Sequence, residues 1–160
     1  MALEEPVQTN GAGGRTPNGA GEARRMEGRK SPMSEKKLVL VIDDDPDIVT
    51  FLTALLQDNG YATDSAYDGV EGLEKTRART PDLILLDITM PEKSGVRFYR
   101  DVREDEVLKS IPVIMVTGVM QEFKHFIHTR RQVPPPDGFI QKPVDKQELL
   151  DAVAKVLSRR

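Results

Sequence analysis

The feature that most constrains the fold is an alternation of short, continuous apolar runs with longer segments of helical periodicity. Leu38–Ile42 and Leu83–Leu86 are apolar at every position, and so are residues 112–116. Runs of this length are typical of strands that are buried on both faces, and such strands occur in parallel sheets covered by helices. The alternation therefore predicts an α/β domain.

The segments between the apolar runs carry helix signals. The first predicted helix has signals at both ends. Its N-cap is Asp45, and its first turn contains Pro46 and the acidic Asp47; Asn59-Gly60 is typical of a helix C-terminus. The apolar residues between them recur at helical spacing: Ile48, Leu52, Leu55 and Leu56. The same kinds of signal predict further helices over 68–79, 94–106 and 120–132, and a last one from Asp145.

Five strands alternate with these five helices. The strands are predicted at Leu38–Ile42, 61–65, Leu83–Leu86, 112–116 and Gly138–Gln141. The first, third and fourth are apolar on both faces and should be central, whereas the second alternates with polar residues and should lie at an edge. A doubly wound five-stranded parallel sheet of order 2-1-3-4-5 satisfies these conditions, and its ligand site lies beyond the carboxyl ends of the strands.

Composition divides the chain at residue 37. Residues 1–37 contain six of the 12 glycines and none of the eight aromatic residues. A segment so poor in large apolar side chains cannot bury enough surface to offset its ordering entropy. We therefore expect residues 1–37 to be a disordered tail and residues 38–160 to be the folded domain.

Charge and cysteine content exclude several classes of function. The chain has a formal net charge of −3, which argues against nucleic-acid binding, and we find no DNA-binding module. It has no cysteine, which excludes disulfides, thiolate metal sites and a cysteine nucleophile. No apolar run approaches the length of a membrane span, and no secretory signal is visible. We expect a cytoplasmic protein.

Polar residues follow four of the five predicted strands. Asp43 and Asp44 follow the first, Asp87 the third, Thr117 the fourth and Lys142 the fifth. Parallel strands bring these residues to one edge of the sheet, where converging carboxylates repel one another unless a cation neutralises them. Carboxylate oxygens together with water suit Mg²⁺. A nucleophilic carboxylate, a metal, a hydroxyl and a lysine are the components of phosphoryl transfer.

Residues 38–160 resemble the receiver domain of two-component response regulators, a flavodoxin-like family. The resemblance rests on four motifs in order: LVLVIDDDPDI at 38–48, PDLILLDITMP at 81–91, VIMVTG at 113–118 and FIQKP at 139–143. It implies that Asp87 accepts a phosphoryl group from a histidine kinase or a phosphotransfer protein. It also implies that Asp43, Asp44, Asp87 and the backbone carbonyl of Thr89 hold Mg²⁺, with the side chain at 89 free to vary.

The resemblance assigns three further roles. Lys142 pairs with the phosphoryl group once it is formed, and Thr117 moves toward that group. Phe139 moves inward behind Thr117. The coupled motion of these two residues carries the signal to the last strand and helices, and so to a partner protein. The Lys142–Pro143 bond is expected to be cis. Since no output domain follows the last helix, we expect a stand-alone receiver whose turnover is limited to its own phosphorylation and dephosphorylation.

One region departs from the family pattern. Receivers commonly have Gly-Ala-Asp-Asp before the fifth strand, whereas residues 133–138 here are Val-Pro-Pro-Pro-Asp-Gly, a stiff and extended approach. This region belongs to the family's usual output surface, so the surface offered to a partner departs here from that of typical receivers.

Two alternatives from other classes stay open. Asp43 and Asp45 also fit the Asp-x-Asp motif of haloacid-dehalogenase-type phosphatases, with Asp43 as the nucleophile, and Thr117 and Lys142 would then supply later motifs. Against this, no acidic pair follows Lys142, and Asp87 has no role. The third class is a receiver-like interaction module that is not phosphorylated.

Overall fold

A five-stranded parallel sheet organises the chain. The computed structural model describes residues 36–118, 121, 124 and 133–159, without the side chain of Lys93. The strands are β1 (Leu38–Ile42), β2 (Ala62–Ala66), β3 (Leu83–Leu86), β4 (Val113–Thr117) and β5 (Gly138–Gln141). Their order is β2-β1-β3-β4-β5, as predicted. All residues of β1, β3 and β4 are buried, whereas β2 is mostly half-buried at one edge, because it pairs on one side only.

Four helices connect or follow the strands in the described ranges. They are α1 (Pro46–Asp58), α2 (Gly69–Ala78), α3 (Ser94–Glu104) and α4 (Lys146–Ser158). Their bounds agree with the predicted ones to within two residues. The fifth predicted helix, over 120–132, lies outside the described residues apart from Gln121 and Lys124. A short 3-10 helix at Pro91–Lys93, just before α3, was not predicted.

Helix α1 begins and ends where its sequence signals predict. The Asp45 side chain accepts a hydrogen bond from the Asp47 amide at 2.9 Å, and Pro46 is the first helical residue. Gly60, just after the helix, has a φ of +93°, a conformation that glycine adopts without steric cost. The predicted apolar stripe is shifted slightly. Its buried residues are Val49, Leu52 and Leu56, while Ile48 and Leu55 flank it.

The sheet separates two apolar cores. Because successive strand residues point to opposite faces, β1 sends Leu40 and Ile42 to one core and Val39 and Val41 to the other. The first core also contains residues of α3: Phe98, Tyr99 and Val102. The second contains the buried faces of α1 and α4. Both cores lie against the central strands, so the carboxyl ends of those strands have a rigid support.

A glycine lets α3 start close to the end of β3. A side chain at Gly95 would place its Cβ 2.3 Å from the carbonyl oxygen of Asp87 and 2.7 Å from the Cα of Ile88. Backbone atoms cannot give way to such a contact, so glycine is required here. The first turn of α3 therefore packs directly on the backbone of Asp87.

None of the described helices has the length and apolar character that a membrane crossing requires.

Candidate functional site

Three aspartates meet at the carboxyl edge of the sheet. Asp43 and Asp44 directly follow β1, and Asp87 directly follows β3. One carboxylate oxygen of each residue lies within 4.8 Å of those of the other two. Asp43 and Asp87 are each only 2% exposed, whereas Asp44 is exposed to solvent. The structure thus brings together the three carboxylates that the sequence analysis selected.

Backbone hydrogen bonds hold the two buried aspartates in place. The Asp87 amide donates to the Ile42 carbonyl at 3.0 Å, and the Asp43 amide donates to the Ala66 carbonyl at 3.1 Å. The Asp45 amide donates to Asp43 Oδ1 at 2.9 Å, which orients that carboxylate. Asp43 and Asp87 are therefore extensions of the sheet, and their positions depend on strand pairing rather than on loop conformation.

Lys142 bridges the two buried carboxylates. Its Nζ lies 2.8 Å from Asp43 Oδ2 and 3.3 Å from Asp87 Oδ2. Its backbone amide donates to the Thr117 carbonyl at 3.1 Å, which ties the end of β5 to the end of β4. The Lys142–Pro143 peptide is cis, as predicted.

Thr89 makes a contact that the sequence analysis missed. Both its backbone amide and its Oγ1 donate to Asp87 Oδ1, at 2.9 and 2.7 Å. The side chain at 89 was expected to be free to vary, because only its carbonyl was assigned a role. The signal was present in the sequence, since an aspartate commonly accepts hydrogen bonds from the residue two positions on.

Two groups in the site, Asp43 and Lys142, have a raised pKa. Burial raises the pKa of Asp43, and the neighbouring charge of Asp87 adds to this, although hydrogen bonds from Lys142 and the Asp45 amide oppose it. Burial would lower the pKa of Lys142, but its hydrogen bond to Asp43 and the charges of Asp87 and Asp43 outweigh burial and raise it. The causes differ: burial dominates the shift of Asp43, whereas its carboxylate partners dominate the shift of Lys142. The lysine therefore stays protonated, and the buried Asp43 carboxyl holds its proton more tightly.

Thr117 and Phe139 lie on the two strands beside the aspartates. Thr117 is the last residue of β4 and is fully buried. Phe139 is half-buried in β5, opposite Met115, and packs against the core that contains Phe98 and Tyr99. Phe139 therefore connects the strand that precedes Lys142 to the core under α3.

The residues present fit Mg²⁺. The donors are carboxylate oxygens, which this hard cation prefers, and the exposed Asp44 leaves room for the water ligands that it keeps. Two buried carboxylates, those of Asp43 and Asp87, face one ammonium group, that of Lys142, so negative charge is left over. A divalent cation would compensate the remainder.

The family model for the response regulator receiver domain matches residues 39–154, which include all of these site residues. The chain belongs to this family. Receiver domains are signalling domains of two-component systems, phosphorylation on aspartate is their general mechanism, and they generally bind Mg²⁺ at an acidic pocket. They work with histidine kinases or phosphotransfer proteins.

Individual relatives agree with the family assignment. PilH of Pseudomonas aeruginosa is 33% identical over 120 residues, which cover 75% of this chain and 97% of PilH. Hybrid signal transduction histidine kinase D of Dictyostelium discoideum is 35% identical over 125 residues, which cover 78% of this chain but only 8% of that kinase. The structure of the chemotaxis protein CheY4 of Vibrio cholerae superposes with a TM-score of 0.68 at 30% identity and covers 76% of this chain and 98% of CheY4.

The assignment answers one question left open by the sequence. The chain is a receiver, so the phosphatase alternative with Asp43 as nucleophile has no support. In the structure both oxygens of Asp43 accept hydrogen bonds, one from the Asp45 amide and one from Lys142.

Proposed function

We propose that this receiver accepts a phosphoryl group on Asp87. The observation that carries the proposal is the convergence of the Asp43, Asp44 and Asp87 carboxylates within 4.8 Å, with Lys142 bonded to the two buried ones. Asp87 directly follows β3, the middle strand of the sheet, and the first turn of α3 packs on its backbone. A change at Asp87 therefore reaches both the sheet and a helix.

The chemistry is a transfer of phosphorus from nitrogen to oxygen. A carboxylate oxygen of Asp87 attacks the phosphorus of a phosphohistidine and forms an acyl phosphate. The P–N bond breaks, its electron pair returns to the imidazole nitrogen, and that nitrogen takes up a proton. Lys142 then exchanges its contact with Asp87 Oδ2 for one with the phosphoryl oxygens, and the Thr117 hydroxyl donates to the same group.

Mg²⁺ would be held by the carboxylates of Asp43, Asp44 and Asp87 and by the backbone carbonyl of Thr89. When bound, it supplies the positive charge that lets two anions, the carboxylate and the phosphoryl group, approach each other. The two donors of Thr89 hold Asp87 Oδ1, so the carboxylate plane is oriented before the donor arrives. Each chain takes one phosphoryl group and later loses it by hydrolysis, which is signalling rather than enzymatic turnover.

The phosphodonor is a histidine kinase or a phosphotransfer protein, and the transfer takes place in the cytoplasm.

Thr117 and Phe139 form the switch. When Thr117 turns toward the phosphoryl group, it vacates space that Phe139 enters, which changes the surface near β5. Phe139 is suited to this role because it is half-buried and packs on the core under α3. The output is the docking of a protein partner or the passing on of the phosphoryl group.

Labelling with acetyl phosphate and Mg²⁺ tests the phosphoacceptor. We expect the wild-type chain to gain one phosphoryl group, measured by intact mass, and Asp87→Asn to gain none. Asp64→Asn, an aspartate of the edge strand β2, is the control and should label as the wild type does. Loss of label in Asp43→Asn together with normal labelling of Asp87→Asn would contradict the proposal. Absence of label in the folded wild-type chain would support the third class, a module that is not phosphorylated.

Affinity capture with beryllofluoride tests the output. Beryllofluoride mimics the phosphorylated aspartate, so partners captured by the wild-type chain only in its presence identify the docking output. Asp87→Asn, which lacks the carboxylate that binds the mimic, should capture none of them. If no partner depends on the mimic, passing on the phosphoryl group becomes the better account.

A further inference from the structure

Strand β5 is short and lies at the edge of the sheet. It contains four residues and pairs in register with β4, from Gly138 opposite Ile114 to Gln141 opposite Thr117. Lys142 follows directly, so its place in the site depends on this register. In a strand, a shift by one residue turns every side chain to the other face. A strand this short has few ladder bonds to oppose such a shift.

A carboxylate holds the amino end of β5. Asp137 Oδ2 accepts a hydrogen bond from the Val113 amide at 2.9 Å and forms an ion pair with Arg103 Nη2 at 3.0 Å. In return, the Asp137 amide donates to the Val113 carbonyl at 2.8 Å. Asp137 thus pairs with the first residue of β4 through both its backbone and its side chain, which sets the starting point of the ladder.

Arg103 is itself held firmly. Its side chain is only 6% exposed, and its Nη1 donates to the carbonyls of Lys109 at 3.1 Å and Ile111 at 2.7 Å. Its guanidinium group lies 5.0 Å from the centroid of the Tyr99 ring. The Tyr99 hydroxyl donates to the Pro134 carbonyl, so the same cluster also holds the segment that precedes Asp137.

Prolines limit the ladder on both sides of β5. Pro136 precedes Asp137 and Pro143 follows Lys142, and neither has an amide hydrogen to donate. A register shift in either direction would bring a proline into a ladder position and lose a backbone hydrogen bond. Pro136, from the run that departs from the family pattern, and Pro143, from a motif that matches it, therefore together leave β5 one favourable register.

We propose that the Arg103–Asp137 ion pair is a register pin, a positioning pair that sets β5 on β4 and thereby places Lys142 against Asp43 and Asp87. The inference rests on the proposed function, because it assigns this pair a part in phosphorylation of Asp87. The two ends of β5 are then coupled: the pin holds one end, and the ion pairs of Lys142 hold the other. Arg103 and Asp137 act through Lys142 and contact no reacting atom.

The first arm of the test observes Lys142 without any phosphate. In ¹⁵N spectra at low temperature, the ammonium group of Lys142 should be visible because its two ion pairs slow proton exchange, and its loss in Lys142→Ala assigns it. We expect Asp137→Ala to broaden or remove this signal and Asp137→Asn to weaken it less, because asparagine still accepts from the Val113 amide. An unchanged signal in Asp137→Ala overturns the proposal.

Asp64→Asn is the matched control. Asp64 lies in the other edge strand, is 35% exposed as Asp137 is, and also pairs with a cation, Lys75. The substitution makes the same change in charge at an equally exposed site, so the Lys142 signal should not change. A loss of the signal in this control as well would show a general loosening of the sheet and overturn the proposal.

The second arm measures the rate of labelling by acetyl phosphate. We expect Asp137→Ala to lower the rate about tenfold, as small misplacements of a positioned group do. In the Lys142→Ala background the same substitution should change the rate by less than about twofold, because the pair acts through Lys142. An equal fall in both backgrounds overturns the proposal. If the wild-type chain takes up no label, the proposed function fails, and the first arm still decides whether the pin exists.

Discussion

Charge is balanced differently at the two ends of the parallel strands. These ends are the carboxyl edge of the sheet, beyond β1 and β3, and the amino edge, before β4 and β5. At the carboxyl edge, within the part of the chain that the structure describes, three carboxylates converge and the ammonium group of Lys142 pairs with two of them. At the amino edge, Arg103 meets Asp137 one to one, and backbone carbonyls and a tyrosine ring take up the rest of the guanidinium group. The first arrangement leaves negative charge in excess, and the second is balanced.

The two ends therefore have different roles: the carboxyl edge carries the candidate reactive groups, and the amino edge supports strand β5. Burial raises the pKa of Asp43, and at the carboxyl edge the two buried carboxylates outnumber the ammonium group beside them. At the amino edge, the ion pair of Arg103 and Asp137 is balanced and lies apart from the site. It holds the amino end of β5 in the same way when the charge of the site changes. Four substitutions or additions test this comparison by their effects on the free energy of unfolding, measured by urea titration.

The largest effect should come from the amino edge. Arg103→Met is expected to lower the free energy of unfolding by about 3 kcal/mol, because it leaves the Ile111 carbonyl and the Asp137 carboxylate without their charged donor. The control is Arg77→Met, which removes an exposed ion pair with Asp105 and should lower the free energy of unfolding far less. Equal losses in the two variants would contradict the comparison.

Mg²⁺ should stabilise the carboxyl edge. At a concentration about ten times its Kd, binding to the folded state alone adds about 1.4 kcal/mol to the free energy of unfolding. Asp43→Asn should remove most of this gain, because it removes one of the two buried carboxylates. Asp137→Asn, at the opposite edge, should keep the gain. A gain that survives in Asp43→Asn would show that the ion binds elsewhere.

The buried tyrosine at the amino edge predicts a pH dependence. Burial raises the pKa of Tyr99 above its ordinary value of 10.0, although the hydrogen bond and charge of Arg103 oppose the rise. The unfolded chain then ionises first, so the contribution of Tyr99 is complete below about pH 10 and is lost as the pH rises through the higher folded value. Tyr99→Phe should lower stability by about 1 kcal/mol at neutral pH, because it removes the bond to Pro134.

The difference between the wild type and Tyr99→Phe should shrink above pH 10. Comparing the two chains at each pH removes the contribution of lysines, which both share. A constant difference from pH 8 to pH 11 would be inconsistent with burial of the tyrosine hydroxyl.

The smallest effect concerns backbone strain near the site. Glu92 has a φ of +60° and is the one non-glycine residue with positive φ among those described. Glu92→Gly should raise the free energy of unfolding by about 0.5 kcal/mol, since the relief of a left-handed conformation exceeds the cost of a more flexible unfolded chain. Glu106→Gly, at an exposed residue without positive φ, should lower it instead. A loss of stability in Glu92→Gly would remove strain as a feature of the carboxyl edge.

Much of the fold follows from local patterns in the sequence. Apolar runs predict the central strands Leu38–Ile42 and Leu83–Leu86 at the observed bounds, because a strand buried on both faces tolerates no polar residue. Parallel pairing then brings the residues after those strands to one edge, so the convergence of Asp43 and Asp87 also follows from order along the chain. The N-cap at Asp45 is a local signal of the same kind.

Other features depend on residues that are distant in sequence. Arg103 and Asp137 are 34 residues apart, and neither carries a mark of its partner in its local sequence. The left-handed conformation of Glu92 is also not predicted by its local sequence, because glutamate disfavours that conformation. The Thr89 hydroxyl bond to Asp87 lies between these cases: its spacing is local, but only the observed geometry selects it from several alternatives.

The sequence by itself determined the class of the fold, the strand order and the set of acidic residues at one edge, because apolar periodicity and chain direction are encoded residue by residue. Only the tertiary structure decided how charge is balanced there: Lys142 bridges Asp43 and Asp87, and Arg103 and Asp137 hold the opposite end of the same strand. Charge balance depends on distances and burial between elements far apart in the chain, and those are set when the elements pack together.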